Sequence, residues 1–338
     1  MKKAKVLVCS LLPGNTHIEL EENFELTVHS HEPMSHEELI EKARDKDAII
    51  SILTNRIDEK FFDACPEIKL VANVAVGYDN IDLAAAKKRG VIVSNTPGVL
   101  TETTADLAFS LLMSTARKLG EAEQFLRAGK WKRFSLDLLL GTDIHGKTLG
   151  IIGFGRIGQS VARRARGFGM KILYSQPRRA DLEIEKELAA EYLSLDEVLS
   201  KSDFVSLHCP LSASTRHLIG AAQLQTMKPT AILINTSRGA IVDEKALAEA
   251  LLAGTIGGAG LDVFENEPAI TPALLEAQNV VLLPHIGSAS IETRTAMGQL
   301  AVDAIKNSFQ GNMPSNLVNK ENWPDFLKKS QQLGLVHA

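Results

Sequence analysis

The stretch Gly153-Phe154-Gly155-Arg156-Ile157-Gly158 constrains this chain most. A strand-like run, Lys147 to Ile152, leads into it. A helix-like run, Gln159 to Arg166, follows, and a second apolar strand, Lys171 to Tyr174, comes after Gly169. That is the pattern of a βαβ unit with its glycines in the first turn. The first glycine permits the tight turn, the second lets the backbone approach a pyrophosphate, and the third lets helix pack close on strand. Phosphates would sit on the unpaired N–H groups at the helix N-terminus. Glycine-rich turns also arise for structural reasons alone, so the flanking strands carry the inference of a dinucleotide. The motif lies near the middle of the chain, so a substantial block precedes the cofactor unit.

The rest of the sequence is α/β as well. The chain has 338 residues, room for two domains rather than one core. Short apolar runs of strand length recur before the glycines: Val6 to Cys9, Ala48 to Leu53, Leu70 to Val74, and Val91 to Val93. Helical stretches separate them. One, Ser35 to Lys46, opens with Ser35 and Glu38 in capping-box spacing. After the glycines a second series follows, with strands at Phe204 to Leu207, Ile232 to Asn235 and Val280 to Leu283. Strands alternating with helices predict parallel sheets.

Past Ser288, Glu292 to Phe309 reads as one amphipathic helix with no strand after it. Such a helix has no new sheet to join and packs back on the first domain. The expected first domain is therefore discontinuous, residues 1–99 and 289–338. The dinucleotide domain, 100–288, is inserted into it, with Thr101-Glu102-Thr103-Thr104 opening the crossover helix. A cleft between two such domains is the default place for chemistry.

Net charge is −4 with no dominant basic patch, so no nucleic acid partner is expected. No apolar run reaches the roughly 18 residues of a membrane span. Met1-Lys2-Lys3 begins like a signal peptide, but Lys5 and Pro13-Gly14-Asn15 interrupt the short apolar stretch after it, so a first strand is the better reading. Cys9, Cys65 and Cys209 sit in or near apolar runs, which fits buried free thiols and a cytoplasmic location.

Three polar residues stand after strands of the second domain: Arg238, Glu267 and His285. Ligands of open parallel sheets bind beyond the carboxyl ends of strands, so all three can face one crevice. Their types suit carbonyl reduction. A guanidinium grips a carboxylate, and an imidazole protonates an oxygen becoming a hydroxyl. A carboxylate beside an imidazole favours its protonated form. Singly, each is more often structural; their joint placement after a dinucleotide motif favours the functional reading.

The segments Leu233 to Gly239, Gly260 to Pro268, Pro284 to Ala289, Ala75 to Asp82 and Asn95 to Thr101 resemble the signatures of the D-isomer-specific 2-hydroxyacid dehydrogenase family. The resemblance spans nearly the whole chain and fails only in the last twenty or so residues. It is strongest to the glyoxylate and hydroxypyruvate reductases. It implies two doubly wound parallel-sheet domains, a Rossmann-type cofactor domain inserted into a flavodoxin-like substrate domain. It implies NAD(P)H-dependent reduction of a small 2-keto acid to the D-2-hydroxy acid, without a metal. Arg238 would bind the substrate carboxylate and carbonyl, His285 would be the general acid, and Glu267 would polarise it. The N–H groups of Val76 and Gly77 would hold the carboxylate, with Leu53 lining the pocket. The implied cofactor contacts are Thr104, Gly153, Phe154, Gly155, Arg156, Ile157, Gly158, Gln176, Arg178, Arg179, His208, Cys209, Pro210, Thr215, Thr236, Ser237, Arg238, Asp262, His285 and Gly287.

The resemblance leaves alternatives. Glu267 argues against formate dehydrogenases, which carry glutamine at that point, and the chain ends before a regulatory domain of the phosphoglycerate dehydrogenase kind. A 2-ketogluconate reductase, a phosphoglycerate dehydrogenase and a dinucleotide-sensing corepressor of the same fold stay open. The family usually forms dimers through the cofactor domain. Glu121 to Asp143, with Trp131 and Phe134 among charges, is either the docking arm or an exposed helix and loop.

The residue after the second strand of the βαβ unit decides the cofactor. NAD-binding units place an acid there. Here Gln176 takes the place, and Arg178 and Arg179 follow. A carboxylate would repel a 2′-phosphate and an arginine would pair with it, so NADPH is favoured over NADH. Ordinary solvated arginines are the alternative, and nearby Asp181 would blur the preference.

Overall fold

A computed structural model describes residues 2–29 and 33–336. The chain divides into two compact units, Met1–Leu100 with Ser288–Ala338, and Thr101–Gly287. Of the first, Met1, Ser30 to Glu32, His337 and Ala338 lie outside the described residues.

The first unit holds five strands: β1 (Lys5–Val8), β2 (Glu25–Val28), β3 (Ala48–Ser51), β4 (Leu70–Asn73) and β5 (Ile92–Ser94). They pair in parallel in the order β2-β1-β3-β4-β5, the flavodoxin-like arrangement. The inner strands are buried on both faces, which is why they read as unbroken apolar runs. One face carries Leu39, Phe61, Phe62 and Ile81. The other is covered by the helix Ile291–Phe309, through Ala301, Val302, Ile305 and Phe309, and by Phe326 of the helix Trp323–Gln332. That last helix carried no readable signal. The helix after Ser35 is shorter than its periodicity suggested, His36–Ala43, and makes only half a capping box: Ser35 Oγ accepts Glu38 N–H at 3.1 Å, while the Glu38 carboxylate lies 3.6 Å from Lys42.

The second unit begins with the helix Thr101–Ala116. Its strands are β6 (Thr148–Ile152), β7 (Lys171–Ser175), β8 (Ala190–Tyr192), β9 (Phe204–Leu207), β10 (Ile232–Asn235), β11 (Gly258–Leu261) and β12 (Val280–Leu282). All are parallel, in the order β12-β11-β10-β9-β6-β7-β8, a Rossmann order with one strand added. The winding reverses between β6 and β9, and the turns beyond those strand ends carry the residues of interest. Sequence reading missed β11, whose Gly258-Ala259-Gly260 has little strand propensity. Gly260 is there for contact: a methyl group on it would lie 2.6 Å from Leu111 Cδ2 and 2.9 Å from Ile234 Cδ1.

The three cysteines are free and buried. Burial pushes the Cys9 thiol up to about 12 and those of Cys65 and Cys209 up to about 11, so none is a ready nucleophile. Among the described residues, no helix is long and apolar enough to cross a membrane, and no group of His, Cys, Asp or Glu could hold a metal ion.

Candidate active site

The glycine turn has the shape a dinucleotide needs. Gly153 has φ +93°, and a methyl group there would lie 2.5 Å from the backbone nitrogen of Cys209. Gly158 faces the carbonyl of Gly153, where a methyl group would sit at 2.4 Å. Gly155 differs, since nothing lies within 4 Å of the place a side chain would take. As N-cap of the helix Arg156–Gly167 it offers no side-chain cap, so the first N–H groups face open space. That is a built anion seat, and the turn fits a pyrophosphate.

Around this turn the strand ends bring several expected contacts together. His208 follows β9, and its Nε2 lies 2.8 Å from Ser206 Oγ. Burial pushes this imidazole down to about 4, so it is neutral at physiological pH. Ser237 donates its hydroxyl to Cys209 O, and Thr215 donates to Pro210 O at 2.7 Å. Thr236 Oγ1 is buried with no protein partner among the described residues. Thr104 stands beside Gly287, 3.6 Å from where a methyl group on that glycine would be.

Two expected contacts already have partners within the chain. Gln176 Oε1 accepts the N–H of Phe154 at 2.9 Å and braces the glycine turn. Arg179 is paired with a residue of the following helix. Its guanidinium holds the carboxylate of Glu185 with two bonds of 2.8 and 2.7 Å. The buried Tyr174 hydroxyl donates to the same carboxylate and accepts Ala180 N–H at 3.0 Å. Arg179 Nε and Tyr174 both bond Oε1 of Glu185, and their hydrogen bonds pull that carboxyl down to about 2. Arg179 is thus committed to the loop. Arg178 is exposed and has no polar partner among the described residues. Asp181 is the N-cap residue of the helix Leu182–Leu188.

The three strand-end polar residues converge. His285 Nδ1 lies 2.7 Å from Glu267 Oε2. With Nδ1–H donated to the carboxylate, Nε2 is left to carry a transferable proton. Glu267 Oε1 accepts the N–H of Phe264 at 3.0 Å. Burial of Glu267 opposes its charge, but the bonds from His285 and Phe264, with the charges of His285 and Arg238, outweigh it and hold the carboxyl below its usual range. Arg238 Nη1 also donates to Ser237 O at 2.8 Å.

His285 has φ +53°, a left-handed backbone that costs about 1–3 kcal/mol in a residue other than glycine. Asp262 holds it there. The carbonyl of Asp262 accepts His285 N–H at 2.9 Å, and its two carboxylate oxygens accept the N–H groups of Ile286 and Gly287 at 2.7 Å each. Burial raises the Asp262 carboxyl above its usual range, against those two bonds. Gly239 was not singled out from sequence, yet a methyl group on it would lie 1.8 Å from the Phe264 carbonyl carbon. Only glycine lets the Arg238 turn and the Glu267 loop approach so closely.

In the first unit, Leu53 follows β3, and Val76 and Gly77 follow β4. Asn95 Nδ2 donates to Val76 O at 2.8 Å and Asn73 Nδ2 donates to Gly77 O at 3.0 Å. Both carbonyls are tied down, while the N–H groups of Val76 and Gly77 meet no acceptor among the described residues.

The model of the D-isomer specific 2-hydroxyacid dehydrogenase NAD-binding domain matches residues 109–287. A glyoxylate reductase of Korarchaeum cryptofilum is 52% identical over 323 residues, 94% of this chain and 97% of that one. A glyoxylate reductase structure from Paecilomyes thermophila superposes with a TM-score of 0.85 at 35% identity, covering 95% of this chain and all of that one. An NADPH-dependent glyoxylate/hydroxypyruvate reductase from Sinorhizobium meliloti, solved with NADP and malonate, gives 0.85 at 39% identity over 94% of this chain and 97% of that one. This chain belongs to the D-isomer specific 2-hydroxyacid dehydrogenases.

Proposed function

We propose that this chain reduces a small 2-keto acid, glyoxylate or hydroxypyruvate, to the D-2-hydroxy acid, with NADPH favoured over NADH. The observation that carries the reading is the 2.7 Å Glu267–His285 pair beside Arg238. It stands past the strand ends of the same sheet as a glycine turn with open space at Gly155. When bound, the reduced dinucleotide supplies the hydride to the carbonyl carbon. The chain does the rest. Arg238 holds the substrate carboxylate and draws electron density from the carbonyl. His285 delivers a proton from Nε2 to the carbonyl oxygen as it becomes a hydroxyl, and Glu267 holds the imidazole by Nδ1 throughout. The free cation at Arg178 and the missing acid at 176 support NADPH. The buried thiols suit the cytoplasm.

Steady-state reduction with each cofactor across pH tests the reading. Glu267 is held ionised well below neutrality, so its charge is present over the working range. Reduction needs a proton at His285 Nε2, so kcat/KM for reduction should fall at alkaline pH. Glu267→Gln removes the charge that favours the protonated form, so the fall moves to lower pH. An unchanged profile would make Glu267 structural only. A protein that binds NADPH but oxidises none with any 2-keto acid would be a dinucleotide-sensing binding protein instead.

We also propose a homodimer formed through the second unit. The helix Leu119–Arg127 and the loop after it expose Leu126, Trp131, Phe134, Leu136 and Leu140, at 54–86% of their surface. Such a contiguous apolar segment needs a partner. Phe134→Glu with Leu136→Glu should give a monomer in sedimentation. A dimer persisting in that variant, or a monomeric parent, would overturn the assignment.

A further inference from the structure

Glu244 is not among the residues proposed to hold a substrate or dinucleotide, yet its surroundings single it out. It opens the helix Glu244–Leu252 and is 5% exposed. An acid in the first turn of a helix ordinarily faces its own dipole and water. This one is turned away from water. Its Oε2 accepts the N–H of Glu265 at 2.7 Å, and its Oε1 accepts the N–H of Thr271 at 2.7 Å. Those two N–H groups stand on either side of Glu267. A single buried carboxylate therefore ties together both ends of the loop that carries the partner of His285. Inside that span, Ala269 N–H donates to Asn266 O at 2.9 Å, and Glu267 Oε1 takes Phe264 N–H at 3.0 Å. The outer side of the loop is fixed by Glu265, whose carboxylate lies 2.9 Å from Arg216 Nη2 and 2.6 Å from His217 Nε2.

From this we infer that Glu244 is a positioning residue for the acid–base pair: it sets the distance between Glu267 and His285 by pinning the backbone at Glu265 and Thr271. The assignment rests on the proposed roles of Glu267 and His285. A carboxylate is the group required. It has an acceptor oxygen for each N–H, and both bonds are charge-assisted. A glutamine has one acceptor and turns its NH₂ toward the second N–H, leaving that donor buried and unsatisfied. The loop then relaxes at one end, and Glu267 moves off Nδ1 of His285.

The test is a double-variant cycle. Glu244→Gln should lower kcat for keto-acid reduction about ten- to a hundredfold, the size of effect that a displacement of about 1 Å produces. KM for NADPH should stay close to that of the parent. The alkaline fall in kcat/KM should move to lower pH, as in Glu267→Gln. Glu244→Gln with Glu267→Gln should be no slower than Glu267→Gln alone, because both variants remove one device. A merely structural role would lower thermal stability without moving the pH profile, and the two losses would add. Either result overturns the inference. If Glu244→Gln does not fold, Thr271→Pro takes its place. Thr271 has φ −56°, inside the range proline fixes, so the variant removes the donor with little backbone change. It should reproduce the profile shift, and a parental kcat and profile in Thr271→Pro would overturn the assignment. The underlying reading fails separately: if Glu267→Gln leaves rate and profile unchanged, there is no acid–base pair for Glu244 to position.

Discussion

Replacing His285 with alanine should cut kcat for keto-acid reduction by about 10²–10⁴-fold, the usual range for loss of one general acid. Dinucleotide binding should survive. The glycine turn draws its geometry from Gly153, Gly158 and Gln176, none of which leans on the imidazole. The strand end around His285 should survive too. Asp262 holds Ile286 and Gly287 by their N–H groups at 2.7 Å, and those bonds are independent of the side chain at 285. The one complication is the left-handed backbone, φ +53°, which alanine adopts less readily than asparagine does. His285→Asn therefore serves as the companion variant. It accepts the backbone and lacks a group that protonates near neutral pH. Both variants should lose kcat to a similar extent while quenching of protein fluorescence by NADPH is retained. If His285→Asn keeps most of the parental rate at neutral pH, the proton comes from elsewhere and the imidazole has no part in the chemistry.

The parts of the fold that were legible share one property. Strands β1, β3, β4, β6, β9 and β10 are covered on both faces, so their apolar residues are consecutive and visible. Strand β2, Glu-Leu-Thr-Val at a sheet edge, is only half covered, and β8 is three residues long. Strand β11 is written in glycine and alanine because Leu111 and Ile234 occupy the space where side chains would be. Such a segment shows its strand character only once its neighbours are known. The site divides in the same way. Arg238, Glu267 and His285 are polar residues at the ends of apolar runs or in signature segments, so position along the chain marks them. Glu244 looks like any acid after a helix N-cap, and Gly239 like any turn glycine. Their meaning lies in Glu265, Thr271 and Phe264, which the chain reaches only later. Nothing local in the sequence distinguishes Arg178 from Arg179. The difference is Glu185, on the next helix, with the buried hydroxyl of Tyr174 beside it.

That difference turns the cofactor preference into a sharper expectation. Arg178→Ala alone should lower the preference for NADPH over NADH roughly ten- to a hundredfold. A charge-assisted bond contributes about 1.5–3 kcal/mol, and 1.4 kcal/mol is a factor of ten. The lower end is the better guide here, because Arg178 is exposed and water screens its charge. The loss should appear in KM for NADPH, with KM for NADH nearly unchanged. Arg179→Ala should behave differently. It takes two bonds from Glu185 and leaves a carboxylate with 9% side-chain exposure beside Tyr174 without its cation. An uncompensated buried charge is destabilising. The variant should therefore melt at lower temperature and lose affinity for both cofactors together, as the loop from Gln176 to Ala180 loosens. Gln176→Asp combines two effects. It places a carboxylate where a 2′-phosphate would lie, and it shortens the side chain that accepts Phe154 N–H. NADPH should weaken strongly, while NADH gains less than a simple charge argument gives. The measurement is kcat/KM for both cofactors at saturating glyoxylate, alongside thermal melting. If Arg178→Ala leaves the ratio of the two unchanged while Arg179→Ala alters it, the phosphate is read by the arginine that the loop already holds. Glu185 must then release it on binding.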